Sequence, residues 1–148
     1  PYIELGLIFA MRHDKIAIQY YNNALSIDSN NFSVLYSRGM FEQEHEMYNE
    51  ALQTYTLATK KFPNKKEAYF NLGYVNMYYL KLYRQATIHF TDAIEVDANY
   101  IQAFYNRGYC FELMGDINNA AKDYQYAIKL KPDYDNAAKG LERVTADF

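Results

Sequence analysis

Four glycines, Gly6, Gly39, Gly73 and Gly108, stand 33, 34 and 35 residues apart in this 148-residue chain. Two alanine columns keep the same beat. Ala17, Ala51, Ala86 and Ala120 form one, Ala24, Ala58, Ala93 and Ala127 the other, and both step by 34, 35 and 34. Between the two alanines of every unit stands an aromatic residue: Tyr21, Tyr55, Phe90 or Tyr124. A period this long, held in four columns, restricts the chain to an array of one supersecondary unit stacked on copies of itself.

Alanine, aromatic and alanine at i, i+4 and i+7 mark one face of a helix. The small residues let two helices approach, and the ring fills the space between them. Each unit therefore reads as two helices joined by a short turn. First helices are predicted over about 1–12, 33–45, 67–80 and 101–114, and second helices over about 14–27, 48–61, 83–96 and 117–130. The segments SIDSN (26–30) and KPDYD (131–135) carry the Asp, Asn, Ser and Pro that end one helix and cap the next. The units span approximately 1–31, 32–65, 66–100 and 101–132 of a single domain. A last helix over 134–147 has an apolar stripe of Ala137, Ala138, Leu141 and Val144, with Lys139, Glu142 and Arg143 facing outward. It reads as the solvating cap that an open-ended stack requires. No such cap precedes residue 1, and the chain opens on Pro1 rather than Met, so a segment of a longer protein is expected.

The register has two irregularities. From the glycine to the first alanine is 12 residues in the second and fourth units, 11 in the first and 13 in the third. The turn near Arg12–Asp14 is thus expected to be one residue short and the turn near Lys81–Leu82 one residue long, since helix tips tolerate such changes.

With Leu72-Gly73, Gly115-Asp116 and the Ala–aromatic–Ala–Pro ending, and most fully in LMGDINNAAKDYQYAIKLKPDYDNA (113–137), the chain resembles the tetratricopeptide repeat (TPR) family over residues 1 to about 132. Arg38 and Arg107 depart from the leucine that Leu5 and Leu72 keep before the glycine. Their stems are expected to pack there while their heads reach water. The resemblance implies an all-α, right-handed solenoid whose first helices line a concave groove; it is nearly silent about function, because the matching residues are the packing ones.

In that frame the groove columns are Tyr36/Phe70/Tyr105, Ser37/Asn71/Asn106 and Met40/Tyr74/Tyr109, with Tyr78 beyond them; Met77, Glu112 and Leu113 fall on the same side. An asparagine amide carries a donor and an acceptor and can engage a peptide backbone bidentately. In related TPR proteins an asparagine of this column does so. Tyrosines add rigid apolar area at low entropy cost. The competing reading is that the rings pack on the neighbouring first helix and stiffen the stack. A chaperone carboxylate clamp is not expected. Its first lysine and asparagine would fall on Ile3 and Leu7, or on Tyr36 and Met40, and its cationic pair on Glu67 and Asn71, or on Gln102 and Asn106. A carboxylate there has no charge-assisted partner.

Composition narrows the remaining classes. A net charge of −3 lacks the basic footprint of a nucleic-acid binder, and the lysines of KKFPNKK (60–66) flank a helix end, where they complement the dipole. Seventeen Tyr and nine Phe with no Trp suit a recognition surface. His13, His45 and His89 stand singly, without the i, i+4 spacing of a metal site, so no metal or cofactor is expected. Cys110 reads as a small buried hydrophobe, and Glu42, Glu44 and Glu46 as solvated carboxylates. No apolar run approaches the roughly 20 residues of a membrane span, and no signal pattern opens the chain. The expected function is a scaffold or adaptor binding an extended peptide or helix, without catalysis. Two alternatives stand beside it: homo-oligomerisation through Ile3, Leu7, Ile8 and Met11 of the uncapped first unit, and a regulatory module tethered to a catalytic domain elsewhere. Cytoplasm and bacterial cell envelope are both compatible.

Overall fold

A computed structural model describes residues 2–5 and 16–146. Gly6, the turn near Arg12–Asp14 and His13 lie outside the described residues. Among those described, the ordered elements are helical. Residues 2–5 are followed by α1 (Ala17–Ile27), α2 (Phe32–Glu44), α3 (Tyr48–Lys61), α4 (Lys66–Tyr74), a π-helical turn (Val75–Tyr79), α5 (Tyr83–Val96), α6 (Ile101–Leu113), α7 (Ile117–Leu130) and α8 (Asp135–Thr145). The chain divides into two compact bodies, Pro1–Asn64 and Lys65–Phe148.

Polar side chains set the helix boundaries. Asn31 Oδ1 accepts from the Val34 amide and starts α2; Asp116 Oδ1 accepts from the Asn119 amide and starts α7. Between units, Asp28 and Asp97 accept the amides of Asn30 and Asn99 at 3.0 and 2.9 Å, the Asx turns that reverse the chain.

The periodic columns form the core. In the first body Ala17, Tyr21 and Ala24 pack with Val34 and Phe41, and Ala51, Tyr55 and Ala58 are buried on α3. The second body holds two clusters. Met77, Ala86, Phe90, Ala93, Ala103 and Cys110 form one; Phe104, Ala120, Tyr124, Ala127, Ala137 and Val144 form the other. Each buried ring contributes about 1.5–3 kcal/mol. The glycine column is explained by the ring column. A Cβ on Gly73 would lie 2.7 Å from the Phe90 ring, and one on Gly39 2.5 Å from the Tyr55 ring. On α8, Ala137, Gly140 and Val144 are buried while Lys139 and Glu142 are exposed.

The third unit differs from its expected form. Glu46, Lys81 and Gly115 all adopt left-handed backbone, with φ of 62°, 58° and 78°, and each stands two residues before the next helix. The three turns are therefore equivalent, and the extra residue is not in the turn. It lies in the helix, where the Leu80 amide reaches back five residues to the Val75 carbonyl at 3.1 Å. The bond that closes the turn spans five residues in two units, Met47 to Glu42 and Asp116 to Phe111, but six in the third, Leu82 to Asn76. One inserted residue rotates the rest of the helix by a large fraction of a turn. Met77, expected on the groove side, is instead buried in the core at 5% exposure.

Three charged residues also depart from expectation. The Arg107 head does not reach out to water. It forms a two-pronged pair with Asp123, both bonds 2.8 Å, and donates to Thr91 Oγ1 at 2.9 Å. Burial raises the Asp123 carboxyl against the pull of that arginine. Arg38 donates to Glu42 Oε1 at 2.7 Å and to Asn22 Oδ1 at 2.8 Å, and Glu42 is buried rather than solvated. The planar fork of Arg107 matches both Asp123 oxygens, whereas Arg38 gives Glu42 one bond, to Oε1. Glu44 and Glu46 are exposed as expected.

Candidate peptide-binding face

The first column is built into the packing. Tyr36 lies 6.2 Å from Tyr55, Phe70 5.5 Å from Phe90 and Tyr105 5.9 Å from Tyr124, so the same ring pair recurs in three units. A second ring supports each: Phe32 stacks on Tyr36, Tyr100 sits 5.1 Å from Phe70, and Tyr134 meets Tyr105 edge-on at 89°. All three are half-buried. Within its own body each of these rings is a floor packed on the buried ring of its unit.

The polar column stands above that floor. Ser37, Asn71 and Asn106 are partly exposed. Among the described residues Asn71 has no side-chain hydrogen-bond partner. Asn106 donates from Nδ2 to the Gln102 carbonyl at 2.9 Å. Its carbonyl oxygen and one N–H remain for a ligand, whereas Asn71 offers its oxygen and both N–H groups.

Beyond them the exposed rings associate. Tyr74 stacks on Tyr78 at 5.4 Å and 9°, and Tyr79 meets both edge-on at 6.1 and 5.0 Å. Burial and the neighbouring phenols raise the Tyr74 hydroxyl. On α6, Tyr109 stacks parallel to Tyr105 at 6.5 Å. Tyr78 is 53% exposed, the most exposed of this set. The structure thus brings Phe70, Asn71, Tyr74 and Tyr78 together on one segment of the second body and Tyr105, Asn106 and Tyr109 on another. Tyr78 and Tyr109 meet in a pocket of about 160 Å³, completed by Met77, Lys81, Tyr83 and Leu113. Tyr36, Ser37 and the 38%-exposed Met40 hold the corresponding positions of α2 in the first body.

Sequence reasoning missed Lys81 and Tyr83. Their signal was the position of Lys81, which occupies the turn site where the next unit has Gly115. The ammonium lies 5.1 Å from the Tyr78 ring centroid and, among the described residues, has no ion-pair partner. Glu112, expected on the groove side, is committed elsewhere. It accepts from Arg143 of α8 at 2.7 and 3.0 Å and from the Tyr124 hydroxyl. Those bonds, the arginine's first, hold its carboxyl below the usual range.

Other features lie away from this face. A cleft of about 430 Å³ is lined by Phe104, Arg107, Phe111, Asn119, Lys122, Asp123 and Tyr126, and includes none of the expected residues. Its Arg107 and Asp123 neutralise each other. Cys110 is fully buried, and burial pushes its thiol up to about 12. Among the described residues no three His, Cys, Asp or Glu are grouped to hold a metal ion, and no helix is long and apolar enough to cross a membrane. Of the residues expected for self-association, Ile3 lines a pocket of about 200 Å³ with Tyr2, Ala24 and Ile27. Leu7, Ile8 and Met11 lie outside the described residues.

Comparison with known proteins agrees with this architecture. Residues 101–134 match the tetratricopeptide repeat family. Protein unc-45 homolog B of Xenopus tropicalis is 32% identical over 99 residues, which are 66% of this chain and 11% of that protein. The chain thus spans about a tenth of the length of that relative. The MamA crystal structure superposes with a TM-score of 0.86 at 24% identity, over 96% of this chain and 83% of MamA. YrrB, described as a TPR protein with an unusual peptide-binding site, gives 0.80 at 22%, over 99% and 76%. The first TPR of Spaghetti (RPAP3), solved with the HSP90 peptide SRMEEVD, gives 0.75 at 23%, over 81% and 94%. At such identities the structures speak for the fold. The fourth unit thus matches the tetratricopeptide repeat family, and the chain as a whole has the fold of the TPR structures it superposes on.

Proposed function

We propose that the chain is a non-catalytic protein-interaction scaffold that binds an extended peptide across Asn71 and Asn106, between the tyrosines of α4 and α6, with Tyr36, Ser37 and Met40 of α2 in the same role on the first body. The observation that carries this reading is the contrast between floor and surface. The rings nearest the core are supported on two sides, while the amide of Asn71 has no hydrogen-bond partner among the described residues and the Tyr78 ring is 53% exposed. Solved neighbours of this fold include one described by its peptide-binding site and one holding a peptide. The first helices of this chain carry no lysine or arginine at the clamp positions read from the sequence, so recognition rests on backbone hydrogen bonds and ring contacts rather than on a terminal carboxylate.

Peptides selected on the chain from a displayed random library provide the ligand for the test. At about 0.5–1.5 kcal/mol per hydrogen bond, Asn71→Ala with Asn106→Ala is expected to weaken them tenfold or more by fluorescence anisotropy, with helicity and melting unchanged. Asn71→Ala alone weakens binding more than Asn106→Ala, because one of the two Asn106 N–H groups is already given to Gln102. Undiminished binding by the double variant overturns the reading.

A further inference from the structure

The pocket beside the π-turn points to a more specific ligand. At about 160 Å³ it is well below the roughly 300–1,000 Å³ of small-molecule sites, and it suits a single side chain of a longer partner. Its walls are the Met77 side chain, the rings of Tyr78, Tyr83 and Tyr109, and Leu113, which favour an aliphatic group. Lys81 is its one charged member. Glu112, the carboxylate expected on this side of α6, is neutralised by Arg143. The pocket rim is therefore cationic in a chain of net charge −3.

The position of Lys81 is also unusual. Its φ of 58° is left-handed, a conformation that Gly115 adopts without strain at the equivalent turn. Glu46 shows that this turn also accepts an acidic side chain. A helix C-terminus favours any lysine; here the exposed ammonium also lies over the Tyr78 ring that lines the pocket, 5.1 Å from its centroid.

We propose that this pocket is a specificity site of the groove, taking one aliphatic side chain of the bound peptide while Lys81 pairs with an aspartate or glutamate next to it. The π-turn creates the site, because it turns Met77 inward as the pocket floor and leaves Tyr78 on the wall. The proposal rests on the scaffold reading and adds to it the chemistry of the partner: an extended segment in which an aliphatic residue adjoins an acidic one, recognised within the chain and not at its terminus.

The test uses a displayed library of random linear peptides selected on the whole chain, followed by synthetic peptides amidated at the C-terminus. Wild-type selection is expected to enrich an aliphatic–acidic pair. Exchanging the acidic residue for lysine is expected to weaken binding at least tenfold. Lys81→Glu, which the Glu46 precedent says the turn tolerates, is expected to reverse that preference while circular dichroism stays unchanged. Selection on the Asn71→Ala, Asn106→Ala variant is expected to yield no binders. Asparagine-dependent binders that lack the pair, or whose charge preference ignores Lys81→Glu, overturn the pocket assignment and leave the scaffold standing. If no asparagine-dependent binders emerge, both readings fall.

Discussion

Glu112 shows how a residue that looks free in the sequence can be part of the frame. Periodicity placed it on the groove side, and the structure ties it to Arg143 and the Tyr124 hydroxyl. Arg143 comes from a helix 31 residues away, so no local pattern joins the two. The bond has a pH consequence. The carboxyl is held below its ordinary value, chiefly by the Arg143 hydrogen bond. Its contribution to stability is thus present above the unfolded value, about 4.3, and lost as pH falls through the lower folded value. Wild type is expected to exceed Glu112→Gln by about 1 kcal/mol near neutrality, the upper end for a pair whose arginine is half exposed. The two denaturation midpoints should converge below about pH 4. A gap that persists in acid would mean that packing, not charge, holds the contact. Arg107 was opaque for the same reason. The sequence shows an arginine in place of leucine, whereas Asp123 and Thr91, each 16 residues away, decide where its head goes. The glycine and ring columns were legible because the same contact, glycine against ring, recurs at Gly39, Gly73 and Gly108.

At the scale of the element, the helices were readable because each repeats the same face, and one departure was readable only in part. The count of residues between Gly73 and Ala86 showed an insertion, and the tolerance of turns suggested where it would go. The turn was already fully specified by the left-handed residue before the next helix, so the helix took up the extra residue. Met77 reports the result. In an unbroken α-helix it would stand where Gln43 and Glu112 stand in their units, both partly exposed, yet it is buried. Deleting Tyr79 should restore the α-helical register and expel Met77 from the core. That is expected to cost about 2 kcal/mol or more, the lower end for truncating a buried methionine, measured from the denaturation midpoint. A double-mutant cycle separates this from general damage. Met77→Ala should cost about as much in the wild-type chain and under about 0.5 kcal/mol in the deletion, where the side chain has already left. Equal costs in both backgrounds would show that the π-turn does not place Met77.

For the whole molecule, stability in a repeat array is close to a sum of unit terms and nearest-neighbour terms. Each of the three buried clusters lies within one body, with Ala17–Phe41 in the first and the Met77 and Phe104 clusters in the second. The last helix completes the second body. Ala137 and Val144 join the Phe104 cluster, and a Cβ on Gly140 would meet the Tyr124 ring at 2.6 Å, so that ring is enclosed from α8 as well as from α6. Removing α8 by ending the chain at Asp133 would expose Tyr124 and Ala127 and strip Glu112 of its arginine. The loss should exceed that of Arg143→Ala, which removes the ion pair and leaves the apolar contact in place. Native-state hydrogen exchange reads both effects residue by residue. Amides of α6 and α7 should lose protection markedly in the truncated chain and slightly in Arg143→Ala. Amides of α1 to α3, which belong to the other compact body, should keep their wild-type protection in both. A uniform loss across all helices would mean that the chain unfolds as one cooperative unit, and that the groove tyrosines are held by the whole array rather than by the units that carry them.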